Sequence, residues 1–205
     1  MTVAGMSVPR IPRVVVVAAL SWLGLALLGG ATGFFVRLPF PGPQLIILAL
    51  VAAALVAATG FPALRTWIDT LSLRVLVGIN AVRFIGITFL MLAGEGRLAP
   101  VFAARAGWGD IGVAVLALVL VAAGEPRTAL GRGLFHAWNG FGLLDLVVAV
   151  FTATTLTLRG AVPGIVPIVS FPLVIVPTFI VPILAATHVV MFRRLRAMGR
   201  AGHGR

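Results

Sequence analysis

Two charges interrupt long apolar runs in this chain: Arg83 in "INAVRFIGITF" and Asp145 in "WNGFGLLDLVVAVF". A charge held in mid-bilayer costs ~3 kcal/mol even on a lenient insertion scale, so such a residue is a candidate for an ion path, a proton relay or a buried pair. Counting 1.5 Å per residue from the ends of their runs puts Arg83 roughly 18 Å and Asp145 roughly 16 Å deep. At nearly one level they can pair, which offsets much of the cost of burying either one. Two readings follow. The pair is a clamp that orients helices, or it is a gated pair in a permeation or proton pathway, where protonating Asp145 frees Arg83.

Their polar companions are few. Asn80 lies one turn before Arg83 on the same helix face, and Asn139 lies six residues before Asp145; buried amides of this kind commonly hydrogen-bond between helices. Thr152 and Thr155 continue the Asp145 face outward, unless each simply bonds its own backbone carbonyl. His136 and His188 fall near the same end of the fifth and sixth runs. Two helical histidines at matched depth can ligate a haem from both sides, which makes haem the cofactor to test.

The last apolar run carries prolines at 163, 167, 172, 177 and 182. The first three read as connection or first-turn residues, with Ser170 available as a cap. Pro177 and Pro182 lie inside the run, where each removes a backbone bond and leaves the carbonyl four residues earlier, at Leu173 or Thr178, to find another partner. Pro177, Thr178 and Pro182 are therefore expected to wall the cavity that holds Arg83 and Asp145.

The elements that must position these residues are membrane helices. Of 205 residues 60% are hydrophobic and 10% charged, with a mean hydropathy of +1.15, which excludes a soluble core as the destination of so much apolar surface. Runs such as "LIILALVAAALVAA" have no period of two, which excludes a strand barrel. The expected fold is all-α: a polytopic bundle of six transmembrane helices at about 14–36, 44–62, 71–93, 109–124, 134–157 and 171–192, forming one domain over 1–205. Outer arginines recur at intervals of about 60, as evenly spaced spans would give without any internal duplication. The first run is too long for a secretory signal's apolar region and reads as an uncleaved helix.

All sixteen bases are arginine. Eleven of them (Arg10, Arg13, Arg65, Arg74, Arg127, Arg132, Arg193, Arg194, Arg196, Arg200 and Arg205) fall on one side of the predicted spans, against Arg37, Arg97, Arg105 and Arg159 on the other. That asymmetry predicts cytoplasmic N- and C-termini and a basic cytoplasmic tail at 193–205 lying against anionic lipid. It also accounts for the net charge of +11 without invoking nucleic acid. Trp67, Trp108 and Trp138 fit interfacial belts. The one sizeable loop is expected at 94–110, with "APVFAARA" as a short interfacial helix and Asp110 as the N-cap of the fourth span. Glu95 and Asp110 flank that loop as solvated charge, with a cation there as the sharper alternative.

No cysteine occurs, which removes disulfides, thiolate nucleophiles and cysteine-held metal centres. No HExxH, GxSxG or Walker motif occurs, no metal site is indicated, and an enzyme is the weaker class.

The stretches "VRFIGITFL", "EGRLAPVFAARAGWGDIGV", "WNGFGLLDLVVAV" and "VPILAATHVV" resemble a family of polytopic bacterial inner-membrane proteins, over residues 75–192. The resemblance implies a multi-pass protein of the bacterial cytoplasmic membrane and carries no activity. The function expected from the residues is a small-molecule or ion permease, or channel-like protein, built around the buried arginine and aspartate. The alternative is a haem-binding redox protein, or a scaffold for another membrane protein or a second copy of itself.

Overall fold

The computed structural model describes residues 11–203, with side chains to residue 199; Arg10 and Arg205 lie outside the described residues, as does the side chain of Arg200. No strand occurs among the described residues. Six helices are long and apolar enough to cross a bilayer: Arg13–Ala31, Gly42–Gly60, Leu73–Gly94, Pro100–Ala123, Ala129–Leu158 and Val176–Gly199. We call them the first to sixth spans.

Their surfaces show why they form a bundle in lipid. Leu25, Val56 and Leu144 are 60% exposed or more, a cost in water that hydrocarbon removes. The interior holds small residues such as Ala103, Ala106, Ala114 and Ala117, together with Asn80, Arg83, Asp110, Asn139, Asp145 and His188. Close-packed small faces and inward polar groups are what hold helices together when the solvent is as apolar as leucine. The fourth span packs against both the third and the fifth, and the sixth packs against the second and the fifth. The first span is peripheral and meets the sixth near Thr178.

Caps and breaks follow local chemistry. Ser72 accepts from the Val75 amide at 3.2 Å to start the third span, and Thr128 accepts from the Gly131 amide at 3.0 Å to start the fifth. Pro62 begins a short amphipathic helix, Pro62–Thr70, that joins the second and third spans. Three spans depart from α geometry: the third tightens to a 3-10 helix over Ile79–Ile85, the fourth opens to a π turn over Ala103–Gly107, and the sixth opens to a π turn over Val176–Ile180. Interruptions of this kind concentrate at functional or strained places.

Three sequence expectations are corrected. The fourth span begins at Pro100, not 109, so the expected outer loop shrinks to the few residues after Gly94. Arg105 and Trp108 therefore belong to a membrane helix, and the reason is the proline at its first position followed by small residues that pack on the third span. Residues 193–203 of the tail continue the last helix, which runs Val181–His203. It docks through Arg193 to Asp69 at 2.7 Å and Arg194 to the Leu71 carbonyl at 2.5 Å. Finally, Ser170 does not cap the sixth span through its side chain. Its hydroxyl donates to the Val166 carbonyl at 2.8 Å, and Pro172 sits in the turn ahead of the helix.

Candidate functional site: a charged centre in mid-bundle

Arg83 stands halfway along the third span, in its 3-10 segment, and is 1% exposed. Its guanidinium is held by three acceptors. Nε donates to Asp110 Oδ1 at 2.6 Å, Nη1 to the Gly142 carbonyl at 3.0 Å, and Nη2 to Asp145 Oδ2. The arginine and aspartate that sequence depth placed at one level do meet. They do so across the fourth span, which lies against both of their helices and adds a second acid.

That second acid, Asp110, is the residue the sequence reading misplaced. Read as an outer N-cap, it stands ten residues inside its span, and nothing in the structure has its side chain capping a helix end. Glu95 instead pairs with Arg97 at 3.0 Å on the exposed surface, so the two acids do not share a cation site. The signal that could have located Asp110 was Pro100: a proline suited to a first helical turn, ten residues upstream.

Glycines make room for the centre. A Cβ added at Gly109 would lie 1.7 Å from Asp145 Oδ1, and one at Gly86 would lie 2.5 Å from the Gly107 carbonyl. Neither position was predicted, because a glycine's role in packing is invisible until its neighbour is known.

A second polar layer joins the fifth and sixth spans. Asn139 Nδ2 donates to the His188 carbonyl at 2.9 Å, and Asn139 Oδ1 faces His188 Nδ1 at 2.8 Å. Because Oδ1 only accepts, Nδ1 carries the proton and Nε2 presents a lone pair. That Nε2 is buried and has no protein partner; a Cβ at Gly142 would come within 3.0 Å of it. A haem iron would have to approach Nε2 from the side that the fifth span closes, and His188 is fully buried, so it does not fit as an axial haem ligand. His136 stacks on Phe192, at 6.0 Å between ring centres, whereas His188 tilts against Trp138 at 5.6 Å. Asn80 donates only to the Leu76 carbonyl of its own helix, at 3.2 Å, and its Oδ1 is buried without a partner. Thr152 is buried and accepts from Arg105 at 3.4 Å, while Thr155 returns to its own Phe151 carbonyl at 2.8 Å.

A cavity of about 310 Å³ leads to the charged centre. It is walled by the second to sixth spans and by the segments at 35–44 and 160–169, and it reaches Arg83 and Asp110. Pro177 lines it, as expected, but Thr178 and Pro182 do not. The carbonyl freed by Pro182 is answered elsewhere: the indole of Trp22 on the first span donates to Thr178 O at 2.8 Å, while the Thr178 hydroxyl turns back to the Val174 carbonyl at 2.5 Å. The Leu173 carbonyl accepts from the Val176 amide at 2.9 Å. Both freed carbonyls thus find protein donors instead of lining the cavity, as lipid requires.

Fold and centre together define a polytopic helical membrane protein organised around an ion centre buried among three of its helices. The chain belongs to the family described as domain of unknown function DUF8737, which matches residues 40–196. No curated protein and no solved structure matches it.

Proposed function

We propose that this protein is a permease for a small molecule, with Arg83, Asp110 and Asp145 as its central site. One observation carries the reading: Arg83 and Asp110, held in mid-bundle, line a cavity that runs to the end of the bundle formed by the connections at 35–44 and 160–169. A clamp that served only to orient helices would need no such cavity. Charged groups that face a cavity inside a membrane protein mark substrate or ion paths, and binding near the midplane beside interrupted helices is the arrangement transporters use. The 3-10 and π segments of the third, fourth and sixth spans supply those interruptions.

The arginine asymmetry supports cytoplasmic termini in a bacterial inner membrane, with the cavity opening to the far side. Residues 1–205 then act as one domain.

The absence of cysteine makes the test direct. Thr154→Cys labels the cavity wall, and Met191→Cys marks the packed core between the centre and the terminal face, which a permease must open. In vesicles of known orientation, a permease gives labelling by an impermeant maleimide from one side at 154 and from the opposite side at 191. Labelling at 154 with none at 191, even by a permeant maleimide, would mean a static pocket and would overturn the proposal.

A further inference from the structure

The cavity's walls and its charge count specify what kind of molecule it takes, an inference that rests on the permease reading and names its substrate class. The centre contains one guanidinium and two carboxyl groups, and among the described residues no other charged side chain lines the cavity. With both acids ionised the centre is one positive charge short. Arg83 is largely committed: three of its five N–H donors point to protein acceptors and it is 1% exposed. Asp110 is different. Arg83 takes its Oδ1, and among the described residues nothing donates to its Oδ2; the residue is 8% exposed and lines the cavity.

The remaining polar atoms of the wall add acceptors. Thr154 and Thr157 donate their hydroxyl protons to the Val150 and Ala153 carbonyls, at 2.8 and 2.9 Å, so each oxygen has only lone pairs to offer. Gln44 Oε1, on the same lining, is buried without a donor. Apart from the Gln44 amide nitrogen, which can donate, the other lining side chains are hydrocarbon or ring, including Phe35, Phe89, Phe102 and Leu184. An unbalanced carboxylate at the inner end of an apolar slot complements a cation on a hydrocarbon body, and the acceptors nearer the slot's mouth add no positive charge to oppose it.

We propose that the cavity binds an amphipathic organic cation, its ammonium nitrogen beside Asp110 and its apolar body along the phenylalanine wall.

The test uses the full chain in mild detergent and three ligands with one tail and different heads: decylammonium, decanol and decanoate. Saturable binding is followed by the shift in unfolding midpoint with ligand concentration. Decylammonium should bind about tenfold tighter than decanol, since a hydrogen bond to a charged group exceeds a neutral one by roughly that factor. Decanoate should bind weakest. In Asp110→Asn the advantage of the ammonium head should fall below about threefold, with decanol binding unchanged. The ranking in the unaltered protein stands as a test even where that variant fails to fold. Equal binding of ammonium and alcohol overturns the inference, and so does preference for decanoate, which would give Arg83 the leading role. Ammonium selectivity in a protein whose position 191 never labels leaves the site standing and removes the permease. Two-sided labelling without ammonium selectivity does the reverse.

Discussion

Gly109 lies so close to Asp145 that a methyl group on it would sit 1.7 Å from the carboxylate oxygen. The fourth span therefore does two things at once: Asp110 supplies an acid to Arg83, and the residue before it gives the second acid room to arrive from the fifth span. Gly109→Ala must push Asp145 off the guanidinium or separate two helices, and overpacking of this kind costs about 1–3 kcal/mol. Gly24→Ala, where a methyl meets nothing within 4 Å, should be neutral or slightly stabilising. Thermal unfolding of the two variants in detergent distinguishes them; equal midpoints would mean that the close approach does not exist.

Arg83 answers two acids, so repairing its loss takes two changes. Arg83→Gln leaves both carboxylates without their cation and should cost about 3–5 kcal/mol. Adding Asp145→Asn should recover part of that, and adding Asp110→Asn as well should recover more. A double variant as stable as the triple would show that Asp110 is not part of the centre, since coupled residues depart from additivity.

Trp22 and Pro182 should be coupled across 160 residues of sequence. Trp22→Phe keeps a ring against Phe179, which the indole meets edge-on at 5.0 Å, but removes the donor to the Thr178 carbonyl. The expected loss is about 1 kcal/mol, typical of an interhelical bond in membrane proteins. Pro182→Ala restores an amide that can reach the same carbonyl. On that background Trp22→Phe should cost less than half as much, and additive losses would count against the indole's role.

The Asn139 and His188 layer predicts a second coupling. Asn139→Leu and His188→Leu each break the same side-chain bond, so the double variant should be less harmed than the sum of the singles by about 0.5–1 kcal/mol. Because His188 Nε2 faces Gly142, hemin added to the pure protein should give the same spectrum with and without His188→Leu. A Soret band lost only in that variant would refute this packing.

The six spans were legible because apolar length is a strong signal, and the meeting of Arg83 with Asp145 was legible from depth alone. The start of the fourth span was not. Arg105, Gly107, Trp108 and Gly109 look like loop in sequence, yet Arg105 escapes the interior by staying exposed and reaching Thr152, and the two glycines serve packing. That single misplaced boundary hid Asp110. The partner of the Thr178 carbonyl was unreadable for a different reason, since no local pattern ties residue 22 to residue 178. Which of the 24 glycines matter was equally a question of neighbours.

With both acids ionised, one guanidinium between two carboxylates makes the molecule sensitive to voltage. The empty centre is then a fixed negative charge near the middle of the hydrocarbon layer, where a potential of 100 mV shifts its energy by about 1 kcal/mol, half the full crossing. A bound monovalent cation cancels that charge. Membrane potential then acts on the empty form and leaves the loaded one alone, so any conformational exchange of the unloaded protein should be electrogenic while the loaded exchange is not.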